Sequence, residues 1–114
     1  MELEVRVFVA PAIFPANGLW FDLPLNENTI RTRLQNTGKL FGLSWNEPII
    51  ISDYEAPFAV DAYASIRELN ILIDTLRAIK SSDVFFDAMV SGDLKAAGVD
   101  LSVFDYKQYF RTLN

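Results

Sequence analysis

The sequence predicts an α+β domain in which a small antiparallel three-stranded sheet with one helix is followed by a carboxyl-terminal helical part. Three observations lead to this reading. Near the amino terminus, apolar and polar side chains alternate with the two-residue period of a strand. After Ser65, the apolar residues fall at helical spacing behind a capping signal. Beyond residue 80, two short apolar-periodic pieces are each followed by a glycine, and a third runs toward the carboxyl end.

In "LEVRVFVA", Leu3, Val5, Val7 and Val9 alternate with Glu4, Arg6 and Phe8, so a half-buried strand is expected there. "PAIFPANG" has two prolines and Asn17-Gly18, the chemistry of a turn. "LWFDLP" then reads as a second strand, the hairpin partner of the first. Asn26 is placed to cap a helix over about residues 27–37, with Ile30, Leu34 and Thr37 inward and Gly38 as the stop. A loop with Trp45 and Pro48 leads into "IIIS", a third, buried strand, and "DYEAPF" reads as a loop from its Asp and Pro.

The next helix is the plainest element. Ser65 and Glu68 form a capping box, and Ile66, Leu69, Leu72, Ile73, Leu76 and Ile79 share one arc of the helical wheel. Ile71 lies opposite that arc. Shorter helices are expected near Asp83–Val90, stopped by Gly92, over Leu94–Ala97, stopped by Gly98, and from about Val103 to Leu113. Residues 1–62 are thus expected to form the α+β part, and residues 63–114 a helical region ending in an interaction helix.

Composition narrows function by exclusion. The 114 residues include no Cys and no His, which removes the thiol nucleophile, the usual general base and the usual zinc ligands. No cofactor, metal site or catalytic residue is expected, and the chain reads as a binder rather than an enzyme. Its amino terminus lacks the basic region and cleavage site of a signal peptide, and no apolar run approaches bilayer length. A cytoplasmic protein without membrane contact is expected.

The net charge of −5 is unevenly spread. Residues 1–40 balance four acids with four bases. Residues 41–74 hold six acids against Arg67 alone, and residues 81–105 hold five against Lys95. A nucleic-acid-binding surface needs clustered Lys and Arg, so direct nucleic acid binding is not expected and a basic partner is.

Asp53 and Glu55, two residues apart, would face one way about 7 Å apart if the strand ran through them. As a pair they suit acid catalysis, a metal or a charged surface, with a solvated loop edge as the plainer option. Asp83 and Asp87 stand at helical i, i+4 spacing with no base on that face, either a small repulsive cost or an imitation of phosphates. Phe104, Tyr106, Tyr109 and Phe110 crowd the last helix in numbers that one small core does not absorb, so an interface competes with terminal packing as their role.

Three segments carry a resemblance. "SDYEAPFAVDAYASIRELNIL" (Ser52 to Leu72) combines Asp53, Tyr54 and Glu55 with Pro57, Phe58, Asp61, Tyr63, Ser65, Ile66, Glu68, Leu69 and Asn70. "NGLWFDLP" (Asn17 to Pro24) and "VFDYKQYFRTL" (Val103 to Leu113) flank it in order. Together they resemble the ArdA family of antirestriction proteins.

The resemblance implies an acidic DNA mimic from a plasmid, transposon or phage, acting in the bacterial cytoplasm. Such a protein inhibits a type I restriction-modification enzyme by occupying its basic DNA-binding cleft. It also implies dimerisation through the carboxyl-terminal region, which would make a homodimer by way of Phe104, Tyr106, Tyr109 and Phe110. The phosphate-mimicking acids would be Asp53, Glu55, Asp61, Glu68, Asp74, Asp83, Asp87, Asp93 and Asp100. The alternative is a mobile-element inhibitor of another nucleic-acid machine, such as an anti-CRISPR protein, that works by direct protein-protein binding. Salt separates the two, because mimicry of DNA weakens steeply with ionic strength and competes with duplex.

Overall fold

The computed structural model describes residues 3–78, 92 and 94–99. Strand β1 (Val5–Pro11) follows from the expected alternation: Val5, Val7 and Val9 are buried while Arg6 is exposed and Phe8 half-buried. Strand β2 (Leu19–Leu23) pairs with it antiparallel, Val5 opposite Leu23 and Val9 opposite Leu19, as a hairpin requires. Strand β3 (Ile49–Glu55) lies antiparallel on the other side of β1, giving the order β2-β1-β3. The α+β architecture is as expected.

Gly18 closes the hairpin where no other residue fits. A Cβ there would stand 2.1 Å from the Val9 carbonyl oxygen, inside the backbone of the neighbouring strand.

Helix α1 (Glu27–Asn36) begins at Asn26, whose side chain accepts from the Asn28 N–H at 2.7 Å. It ends in a Schellman arrangement. Gly38 takes φ 78°, its N–H donates to the Gln35 carbonyl, and the Lys39 N–H donates to the Leu34 carbonyl. Ile30 and Leu34 are buried; Thr37 is exposed as the C-cap rather than inward, its hydroxyl donating to the Arg33 carbonyl. Arg31 ties α1 to the loop before β3, pairing with Glu27 and donating to the carbonyls of Trp45 and Glu47.

Helix α2 (Ile66–Arg77) starts at Ser65, whose hydroxyl accepts from the Glu68 N–H. Its buried residues are Ile66, Leu69, Leu72, Ile73 and Leu76, the arc that the wheel picks out. Ile79 lies outside the described residues. These side chains join Val5, Val7, Val9, Phe21, Ile51 and Phe58 in one hydrophobic cluster, so α2 covers one face of the sheet. Each fully buried Leu or Ile adds about 1.5–3 kcal/mol relative to exposure. Ile71, away from the arc, is half-buried against the cluster's edge.

Two polar contacts fasten α2 to distant parts of the chain. The Asn70 amide accepts from the Leu25 N–H at 3.1 Å and donates to the Leu25 carbonyl at 2.7 Å, as a paired strand would. The Arg77 guanidinium donates twice to the Leu3 carbonyl. Asn70→Ala leaves both Leu25 groups without this partner and is expected to cost about 1–3 kcal/mol. Urea unfolding checks this, and a variant within experimental error of the native chain would show that water replaces the bridge.

Past α2, Gly92 is itself helical, not the stop expected from the sequence; its φ is not positive, and glycine takes the right-handed helical conformation as well as the left-handed one. Residues 94–96 are helical and end at Gly98 (φ 80°), as expected. Here too the Val99 N–H reaches the Leu94 carbonyl, and both side chains are buried in the main cluster. The helices expected near Asp83–Val90 and Val103–Leu113 lie outside the described residues.

Candidate functional site

Among the described residues, the sheet face opposite α2 is open at Arg6, Asp22, Asp53 and Glu55, and its composition sets it apart. Alternation and register put three residues abreast in each row. One row is Asp22, Arg6 and Glu55; the next is Trp20, Phe8 and Asp53. Glu4, one step before Arg6, is also exposed. Four carboxylates therefore surround one guanidinium on this face, a local excess of negative charge.

This face exists because β3 does not alternate regularly. Val9 pairs with Ile51, but Phe8 pairs with Asp53, so Ser52 is an extra residue in a β-bulge. Ile51 points into the core. In an unbroken strand Asp53 and Glu55 would follow it inward, and Tyr54 would face out. The bulge resets the phase, and both carboxylates emerge on the open face. The loop expected over Asp53–Phe58 is thus strand as far as Glu55, because the bulge lets the charged residues pair with β1 without being buried.

Arg6 organises the first row. Its Nε lies 3.1 Å from Asp22 Oδ1 and its Nη1 lies 3.4 Å from Glu55 Oε2, while the guanidinium carbon stands 5.2 Å from the centre of the Trp20 ring. Trp20 in turn meets Phe8 edge to face at 5.6 Å. The Arg6, Asp22 and Glu55 side chains are 46%, 85% and 63% exposed. Ion pairs this open contribute about 0–1 kcal/mol. Stability is therefore a poor account of so many acids around one base.

The expected site acids divide by location. Asp53 and Glu55 share the open face, Asp53 also accepting from the Tyr54 N–H. Asp61 sits in the turn before α2, where its carboxylate accepts from the Tyr63 N–H at 2.8 Å. Glu68 and Asp74 are on α2, in the layer on the other side of the sheet. The structure thus brings two of these five onto one face. Asp83, Asp87, Asp93 and Asp100 lie outside the described residues, as do Phe104, Tyr106, Tyr109 and Phe110.

Asp22 and its clasp with Arg6 escape a reading of the sequence. The signal is there, since counting back from the turn pairs Arg6 with Asp22. What hides it is the neutral balance of residues 1–40, which averages away a local row. A recess between β3 and the first turns of α1 and α2 is lined by Glu27, Arg31, Ile49, Tyr63 and Ser65, and it contains neither Asp53 nor Glu55.

Compared with known families, residues 16–114 match the description "Antirestriction protein (ArdA)". The chain belongs to the ArdA family. The match spans most of the sequence, including all three segments that carried the resemblance. No curated protein and no solved structure matches the chain. ArdA membership brings antirestriction as the function class, exerted by an inhibitor on restriction-modification enzymes and not by a catalyst. No helix among the described residues is long and apolar enough to cross a membrane.

Proposed function

We propose that this ArdA member is an acidic DNA mimic that blocks a type I restriction-modification enzyme by occupying its DNA-binding cleft, with the open sheet face as one contact surface. The observation that supports the reading is the row Asp22, Arg6, Glu55 with Asp53 beside it. Duplex DNA presents about one charge per 1.7 Å of axis. Carboxylates two residues apart on a strand stand about 7 Å apart, and those two strands apart about 10 Å. Such a grid offers a lysine- and arginine-lined cleft a surface of the same sign as DNA, at a lower charge density.

The aromatic pair at the centre gives the face apolar substance that charge alone lacks. Arg6 keeps the acids apart and positioned before any partner arrives, which lowers the ordering cost of binding. Glu68 and Asp74 would give the opposite layer a second acidic patch, the acids beyond residue 80 would add further charge, and pairing of two chains through Phe104, Tyr106, Tyr109 and Phe110 would lengthen the whole.

Competition tests this function. The chain is expected to displace duplex DNA from a purified type I restriction-modification complex, with affinity falling several orders of magnitude between about 50 and 200 mM salt if many charges engage. Binding that ignores salt and leaves the enzyme on its DNA would sink the proposal.

A further inference from the structure

The turn between β1 and β2 presents two large apolar side chains to water: Ile13 is 57% and Phe14 53% exposed. Hairpin tips are ordinarily small and polar. This one is also held firmly. The Phe14 N–H donates to the Pro11 carbonyl and the Asn17 N–H to the Phe14 carbonyl, both at 2.9 Å. The Ala12 N–H donates to the Pro48 carbonyl at 2.9 Å, and the Ser52 hydroxyl to the Pro15 carbonyl at 2.8 Å. Pro11 and Pro15 restrict the backbone on either side of the pair.

We infer that Ile13 and Phe14 form an apolar knob that docks in a hydrophobic recess beside the cationic DNA-binding surface of the restriction enzyme, giving the complex a second, salt-insensitive contact. This rests on the reading that the acidic sheet face meets that surface. Contiguity supports it, because Ser52, which holds Pro15, immediately precedes Asp53 on β3. The turn that carries the knob is thus fastened to the strand that carries Asp53 and Glu55.

Charge selects the occupant. With Glu4, Asp22, Asp53 and Glu55 against Arg6, the adjoining face repels nucleic acid and anionic lipid. A second copy laid face to face would set like-charged rows against each other. A protein surface rich in Lys and Arg is attracted, and buried aromatic or aliphatic anchors dominate the energy of such contacts. The fixed turn loses little freedom on docking, so most of the apolar gain appears as affinity.

The test sets Ile13→Ser/Phe14→Ser beside Asp53→Asn/Glu55→Gln, each titrated against a purified type I restriction-modification complex at several salt concentrations. The apolar variant is expected to bind about tenfold to a hundredfold more weakly at every salt concentration, with an unchanged salt slope. The acid variant is expected to flatten the slope. Phe14→Leu, which keeps the knob apolar, should stay within about threefold of the native chain. An apolar variant equal to the native chain overturns the knob; if the acid variant still flattens the slope, the reading of the sheet face stands. A loss as large in Phe14→Leu as in the serine variant would indicate a disturbed turn and overturn it as well. Failure of the native chain to bind the complex would overturn both.

Discussion

Replacing Leu72 with Ala is expected to lower the unfolding free energy by about 3 kcal/mol, within the range of roughly 2–5 kcal/mol for emptying a fully buried leucine site. Leu72 is completely buried on the arc of α2 that meets the sheet, so the vacated space has no solvent to fill it. A domain of this size is stabilised by about 5–15 kcal/mol in all, so a single truncation removes a fifth or more. The urea midpoint should fall by about 1–3 M at an unchanged slope. Asp74→Ala, on the exposed side of the same helix, should move the unfolding free energy by no more than about 0.5 kcal/mol. Equal stabilities for the two variants would mean that α2 is not seated on the sheet.

The largest functional effect is expected from Asp22→Asn/Asp53→Asn/Glu55→Gln. The three side chains are exposed and the substitutions keep their shape, so folding should change little. Arg6 loses its partners and the face changes from a net negative to a nearly neutral charge. Inhibition of a type I enzyme should weaken by one to two orders of magnitude at low salt, at roughly 1 kcal/mol for each charge meeting a cationic cleft. The slope of log affinity against log salt should become shallower by up to about three. A triple variant that inhibits as well as the native chain, with an unaltered slope, would remove the sheet face from the mechanism.

Much of the fold was legible because the signals were local. Val5, Val7 and Val9 announce β1 by alternation, Asn26 and Gly38 bracket α1, and Ser65 with the Ile and Leu arc defines α2. Contacts between distant residues were not legible. Asn70 lies off the apolar arc of α2, yet it completes the backbone hydrogen bonds of Leu25, 45 positions away. Arg77 also lies off that arc, yet it holds the Leu3 carbonyl. No periodicity reports such long-range partners.

The candidate site was legible by residue type and not by arrangement. Asp53 and Glu55 were visible as a pair, but the strand that displays them ends beyond the point where Asp and Pro suggest a loop. Asp22 disappeared into a neutral segment average. Aromatic content pointed to an interface at residues 104–110, whereas Trp20 and Phe8 gave no separate signal within a strand pattern that already explained them.

The extra residue at Ser52 shows that this surface depends on chain length as well as on chemistry. Asp53 and Glu55 could be exchanged for other acids, or moved to a neighbouring open position, and the face would keep its sign. The number of residues between Ile51 and Glu55 has no such tolerance. A one-residue insertion or deletion there would turn the strand's remaining side chains over, sending charge toward the leucines of α2 and Tyr54 onto the open face. Substitution can drift on this face, but the spacing that aims it is effectively fixed.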